Sequence, residues 1–244
     1  MHHATSSAET GAGIHTASSA GFGAGVSTVH KPAAHLNRLF GDLPFLDRFD
    51  AAAQAGYGRV EFMFPYSYPV EQIAHRLCSH GLQVVRFCLP AGDWMGGERG
   101  IACHPDRMGE FRYGLEEAIR YARPLGTRQL RCLAGLLLPG LAPDLARQTL
   151  VNNLRYAAAA LKPHGIALQI APHSVADAAC AASMVSAASI ISGARAPHPS
   201  SPPGAPGAPG PCDAADHFLT GRAQALAVIR DTGSDNLFLQ DDPT

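Results

Sequence analysis

The six cysteines, Cys78, Cys88, Cys103, Cys132, Cys180 and Cys212, form no C-x-x-C pair. Their scatter argues against a zinc knuckle or a disulfide-stapled secreted module and predicts a reduced, cytoplasmic setting. No apolar run reaches the roughly 18 residues of a bilayer-spanning helix, so no membrane role is expected. Neither sign of charge is in excess: 19 basic and 20 acidic side chains leave a formal charge of -1. Without a strong overall field, nucleic acid and anionic membranes are poor partners, and small neutral or anionic metabolites are the expected ones. Lys and Arg are missing before Lys31, and that stretch also lacks an apolar segment, which argues against both a mitochondrial presequence and a secretory signal.

What is present suffices for one sizeable core, since 46% of the 244 residues are hydrophobic. Residues 1–33, rich in Ala, Ser, Gly and Thr, bury too little to fold alone and are expected to form a disordered extension. Residues 34–172 read as the first part of the folded domain. Residues 173–215 read as an Ala/Ser/Pro/Gly-rich insertion, because SGARAPHPSSPPGAPGAPGP repeats proline without apolar periodicity. Residues 216–244 continue that domain with a helix and a sixth strand.

Outside the biased segments one unit repeats: an amphipathic helix, a glycine, then a short apolar strand. Phe45 to Gly56 leads into RVEFMF, Val70 to Gly81 into VVRFCL, and His104 to Gly126 into LRCLAG. Ala142 to Gly165 leads into ALQI, and Gly221 to Gly233 into LFLQ. A glycine after each helix supplies the left-handed stop, and helix-strand alternation specifies parallel strands. With a weak first strand at Ala34-His35-Leu36 this gives six strands and five helices in an α/β fold, either a (β/α)₈-type barrel or a doubly wound sheet.

In either architecture chemistry belongs at the carboxyl ends of the strands. The tips carry Glu61, the loop LPAGDW, Ala134-Gly135, Ala171-Pro172-His173, and Gln240-Asp241-Asp242. Glu61 either faces a substrate hydroxyl or satisfies a neighbouring arginine. Arg99 in the glycine-rich loop could clamp a carboxylate while Trp94 excludes water, or Glu98 and Arg99 form an exposed pair of little energetic weight. Cys88 and Cys132 lie in apolar runs and read as core residues. Arg131 is an unusual charge within a strand and needs the mouth or an acid, for which Glu61 is a candidate. His173 reads as a solvated residue rather than a ligand.

VEFMFPYSY, LPAGDWMGGERGIACHPDR, EFRYGLEEAIRYARPLG, TLVNNLRYAA and FLTGRAQALAVIRDTGSDNLFLQ together resemble the bacterial hydroxypyruvate isomerase family, in order and at similar spacing. The resemblance implies a xylose-isomerase-like TIM barrel that interconverts hydroxypyruvate and tartronate semialdehyde through an enediolate. It implies a divalent metal, Mg or Mn, and a small keto-acid or sugar-like substrate. In that family the strand matching Ile166–Ile170 ends in Glu-Pro, and that Glu is base and metal ligand; here the position is Ala171. The next strand's Asp ligand falls on Asp242, and the later Gln and second Glu would lie beyond Thr244.

The resemblance therefore implies a truncated barrel of about six strands in place of eight, interrupted by an insertion. Glu61 is left as the candidate catalytic residue, Asp93, Trp94 and Arg99 as substrate-binding residues, and Asp242 as a remnant metal ligand that does not hold the ion tightly. An inactive or strongly impaired isomerase is expected. The alternatives are a non-catalytic metabolite- or partner-binding barrel, and another sugar or keto-acid isomerase or epimerase of the same superfamily. Open edges near residues 34–38 and 237–242 would favour homo-oligomers or aggregation.

Overall fold

A computed structural model describes residues 32–172 and 217–240. The expected extension before residue 32, the 173–215 insertion, His173, Cys180, Cys212 and Asp242 lie outside the described residues.

Six strands form one sheet: β1 Ala34–His35, β2 Arg59–Glu61, β3 Gln83–Cys88, β4 Gln129–Cys132, β5 Ala167–Ile170 and β6 Leu237–Leu239. Every neighbouring pair is parallel, and spatial order follows sequence order from β1 to β6. A doubly wound sheet reverses order at a switch point; this one never does, so the strands are consecutive staves of a barrel. Among the described residues the sheet is open, with β1 and β6 at its two ends.

The helices are α1 Leu36–Leu39, α2 Asp47–Gln54, α3 Val70–His80, α4 Met108–Leu125, α5 Pro143–Leu161 and α6 Arg222–Thr232. Short 3₁₀ turns, Pro105–Arg107 and Lys162–His164, precede α4 and follow α5. The α5 helix shows why these segments take this form. Pro143 opens it, where a missing N–H costs nothing. Ala146, Leu150, Leu154, Ala157 and Leu161 then recur every three or four residues and are buried to the last atom or nearly so. Gly81 and Gly126 end α3 and α4 with φ of 61° and 67°, the left-handed turn that lets the chain return into β3 and β4.

Several strand ends differ by a residue or more from those the sequence suggests; at β4 the run LRCLAG outlasts a strand that ends at Cys132, and two more differences meet around β2. Leu36 begins α1 rather than ending β1, and β2 stops at Glu61 although the apolar run continues to Phe64. Past Glu61 the backbone still bonds to β3, Phe62 N to Arg86 O at 3.4 Å and Cys88 N to Met63 O at 2.9 Å, while the Asn37 Oδ1 accepts the Met63 amide at 3.0 Å. The register already shifts between Val60 and Glu61. Beneath, Phe62 is the hub of an aromatic cluster, edge-on to Phe45 and Phe49 and stacked on Phe87 at 5.7 Å.

Cys88, Cys103 and Cys132 are buried free thiols, whereas Cys78 is exposed on α3. Burial pushes the Cys103 thiol up to about 12 and the Cys132 thiol higher still. A thiol needs its thiolate to react, so in the folded protein at pH 8 iodoacetamide should label Cys78 and spare the other three by about a hundredfold or more in rate. Peptide mass spectrometry after a timed pulse checks this, and unfolding in denaturant should abolish the difference.

Candidate functional site

Where the tips of β4 and β5 meet the loop after β3, the structure holds a cavity of about 30 Å³ lined by Trp94, Arg99, Arg131, Leu133, Ala134, Gly135, Ala171, His217 and Leu219. It has room for a water or one end of a small ligand. Its position, outside the carboxyl ends of parallel strands, is where a barrel presents chemistry. Arg131 is the penultimate residue of β4 and buried, with its neighbours Leu130 and Cys132 in the core. Ala171 follows β5 directly. The bare position noted in the sequence therefore does lie at the mouth, and it contributes a methyl group.

The loop after β3 is folded by its own polar groups. Asp93 Oδ1 accepts the Gly96 amide at 2.8 Å, and the Glu98 carboxylate accepts the Asp93 amide. Arg99 lies over the Trp94 ring, 4.4 Å from its centroid, and its Nη1 donates to the carbonyls of Trp94 (3.1 Å) and Glu98 (2.7 Å). This leaves Nε and Nη2 of Arg99 without an acceptor among the described residues. Gly100 presses on the turn after β4, where the Cys103 amide donates to Ala134 O at 2.9 Å. One of the two readings from sequence had Glu98 and Arg99 as an exposed pair; the structure instead pairs Glu98 with Arg107, which also holds Glu110 at 2.7 Å. Distance along the chain explains the correction, since adjacent side chains in an extended loop point apart while the turn before α4 brings Arg107 back.

Hydrogen bonding from Arg107 holds the Glu110 carboxyl below its usual value of 4.5. A lowered folded-state value means that the contribution exists above the unfolded value and fades as pH falls through the folded one. Glu110 is half-exposed, so solvent screening limits the effect to about 0.5 kcal/mol. Acid unfolding of Glu110→Gln should be correspondingly less steep below about pH 4.5 than that of the unaltered chain, and a pH series of denaturant midpoints measures it.

Of the residues singled out from sequence, Trp94, Arg99 and Ala171 come together at this cavity, joined by Arg131. Asp93 serves the loop and, instead of the mouth, lines with Trp94 an aromatic cavity of about 530 Å³ walled by Phe45, Phe64, Tyr66 and Tyr68. Glu61 makes a 2.6 Å ion pair with Arg86 and lines neither cavity at this end of the sheet. His217 was not anticipated. It makes an isolated antiparallel bridge with Leu136 and lines the mouth. His104 was also missed: it is buried with Nε2 at 2.9 Å from Leu136 O. Only their places beside the FLTG and GERGIAC segments hinted at either.

Among the described residues no group of three or more His, Cys, Asp or Glu side chains is arranged to hold a metal ion. The described mouth thus does not fit a divalent cation; its side chains are two arginines, one histidine and apolar groups. No described helix is long and apolar enough to cross a membrane.

The family model described as xylose isomerase-like TIM barrel matches residues 49–198, more than half of the chain. Hydroxypyruvate isomerase of Escherichia coli (strain K12) is 51% identical over 140 residues, which cover 57% of this chain and 54% of that protein. A 2-oxo-tetronate isomerase of Pectobacterium atrosepticum is 43% identical over 140 residues, covering 57% of this chain and 53% of its own. The chain thus spans about half the length of these relatives. Among solved structures, one described as an AP endonuclease, family 2, from Brucella melitensis superposes with a TM-score of 0.67 at 31% identity, over 85% of this chain and 66% of that one. A D-allulose 3-epimerase from Methylomonas sp. shares the fold, with a TM-score of 0.56 at 16% identity, over 85% of this chain and 60% of its own.

Proposed function

From the premise that this chain belongs to the xylose isomerase-like TIM barrel family, we propose that its mouth binds the carboxylate end of a small hydroxy-keto acid and that it isomerises such a substrate slowly or not at all. The observation that carries this reading is the pairing at one cavity of Arg99 and Arg131 with Ala171. The free edge of the Arg99 guanidinium, Nε and Nη2, matches the two oxygens of a carboxylate. No acidic side chain lines the cavity among the described residues. Relatives named hydroxypyruvate and 2-oxo-tetronate isomerases support acids of three or four carbons as the ligands.

Interconverting a hydroxy-ketone and a hydroxy-aldehyde takes a proton from the carbinol carbon, passes through an enediolate and returns the proton to the former carbonyl carbon. That needs a base within hydrogen-bonding reach, worth roughly 10² to 10⁴ in rate. At the end of β5 the methyl of Ala171 can neither take nor return the proton, and Glu61 is held by Arg86. Trp94 and Arg99 bind and shield; they do not move protons. The divalent ion that the family resemblance implies, with Asp242 as a remnant ligand, would not be held tightly by this chain.

Calorimetric titration with hydroxypyruvate tests the binding half. Arg99→Ala should weaken binding by roughly 30-fold or more, the loss expected for a charge-assisted bidentate contact, and Arg99→Lys by less. Equal affinity for Arg99→Ala and the unaltered chain would overturn the assignment of the carboxylate to this arginine.

A further inference from the structure

Beyond β4 the carbonyls of Ala134, Gly135 and Leu136 are bonded to alternate sides. Ala134 O accepts the Cys103 amide at 2.9 Å, and Gly135 O accepts the Phe218 amide at 3.0 Å. Leu136 O turns back to the first side, where His104 Nε2 lies 2.9 Å away and Cys103 Sγ 3.5 Å. This short strip thus joins the loop after β3, which carries Arg99, to the segment His217–Leu219, and all three reach the mouth. Two of these bonds run between backbones and a thiol is a weak donor, so His104 supplies the strong side-chain bond of the joint.

A carbonyl oxygen only accepts, so the proton sits on Nε2 of His104 and the lone pair on Nδ1. His104 is 5% exposed, and its Nδ1 is buried with no donor among the described residues. An unsatisfied buried acceptor costs stability, so packing alone would favour an apolar side chain at this position. What the ring contributes is the donor at Nε2. Asn153 of α5, itself fully buried, donates from Nδ2 to Ala102 O at 2.8 Å and so fixes the same loop from the helix. Arg99 leads directly into this pinned stretch, and its guanidinium keeps its place over Trp94 only while the loop backbone is held.

We propose that His104 is a positioning residue for the carboxylate site: its bond to Leu136 O seats the loop on the end of β4 and so sets where the Arg99 guanidinium stands relative to Arg131. The inference rests on the reading of the mouth as a carboxylate site. A bidentate contact demands a fixed approach of two planar groups, so a small displacement of Arg99 forfeits one of its two hydrogen bonds to the ligand. His104 does not line the cavity, and its effect on a ligand there passes through Arg99.

The test uses the full chain and two readouts. Trp94 is the single tryptophan and Arg99 lies over its ring, so ligand-free emission reports where the guanidinium stands. His104→Gln keeps an N–H at the Nε2 position, whereas His104→Asn, one bond shorter, and His104→Phe do not. Calorimetric titration with hydroxypyruvate should show binding weakened by roughly tenfold or more in His104→Asn and His104→Phe. His104→Gln should bind almost as the unaltered chain does, and the emission should change in the first two variants and not in the third. Ile73→Val removes a methyl group from the fully buried core face of α3, outside the mouth, and should lower stability while leaving both readouts in place. In the Arg99→Ala background, His104→Phe should change affinity by less than about twofold, because both substitutions act on one contact. Melting curves show which variants are folded, and His104→Asn and His104→Phe serve as alternatives to each other. Unchanged affinity in both overturns the inference. So does a loss in His104→Gln equal to theirs, an equal loss in Ile73→Val, or full additivity with Arg99→Ala. If Arg99→Ala itself leaves affinity unchanged, the carboxylate reading falls and this inference with it; dependence on Arg99 without dependence on His104 removes this inference alone.

Discussion

Gly100→Ala is expected to lower stability by about 3 kcal/mol or more, because strain and overlap add at one position. Gly100 sits at φ 114°, and a Cβ built there falls 2.3 Å from Leu133 O and 2.6 Å from Leu133 C. Both atoms belong to backbone at the end of β4, which cannot swing aside as a side chain would. Gly135 faces it from the other side, with its own Cβ position 2.8 Å from Gly100 O. The two glycines are thus a backbone-to-backbone contact that seats the loop carrying Trp94 and Arg99 on the tip of β4. Gly126→Ala is the control, because φ is 67° there but nothing lies within 4 Å of the added carbon. That substitution should cost only about 1 kcal/mol, the conformational term alone. Denaturant midpoints of the two variants separate them, and near-equal losses would mean that the loop yields easily.

Phe62→Ala should cost about 3–5 kcal/mol. Phe62 is 2% exposed and touches Phe45, Phe49 and Phe87, so truncation opens a cavity bordered by three rings from α2, its preceding loop and β3. Those neighbours are held in turn by the sheet and by α2, which limits collapse into the space. Phe62→Leu keeps most of the volume and should cost less than about 1.5 kcal/mol. Since Phe45 also walls the aromatic cavity, Phe62→Ala should loosen that cavity before it unfolds the chain. Thermal unfolding followed by Trp94 emission and by far-ultraviolet circular dichroism would show the two transitions parting.

The order of elements was legible because each helix of the repeating unit ends at a glycine and each strand is a short apolar run; β5, read as Ala167 to Ile170, has those ends in the structure. The alternation alone left barrel and doubly wound sheet open, since both give it and differ only in which strands touch; the family motifs pointed to the barrel, and the unreversed strand order has it. Strand ends were blurred where an apolar run outlasts the regular ladder, as at Phe62 to Phe64, because the register shifts between Val60 and Glu61 although Phe62 and Met63 still bond to β3. At the site, Ala171, Trp94 and Arg99 could be found from motif and strand position, and the structure gathers them. The partner of Glu98 could not, because it depends on the turn that carries Arg107 back toward the loop. Nor could the use of Glu61, which rests on Arg86 projecting toward it from the adjacent strand with 2.6 Å between Nε and Oε2. His217 was hidden because its neighbour Leu136 is 81 positions earlier in the chain, a pairing that no local pattern encodes.

The most direct test is to measure, on one preparation, the binding of hydroxypyruvate and its conversion to tartronate semialdehyde. Saturable binding that depends on Arg99, with conversion indistinguishable from the uncatalysed rate, is the expected result. Conversion at an ordinary enzymatic pace would contradict it, because a proton would then be moving at a strand tip where the structure places only the methyl group of Ala171.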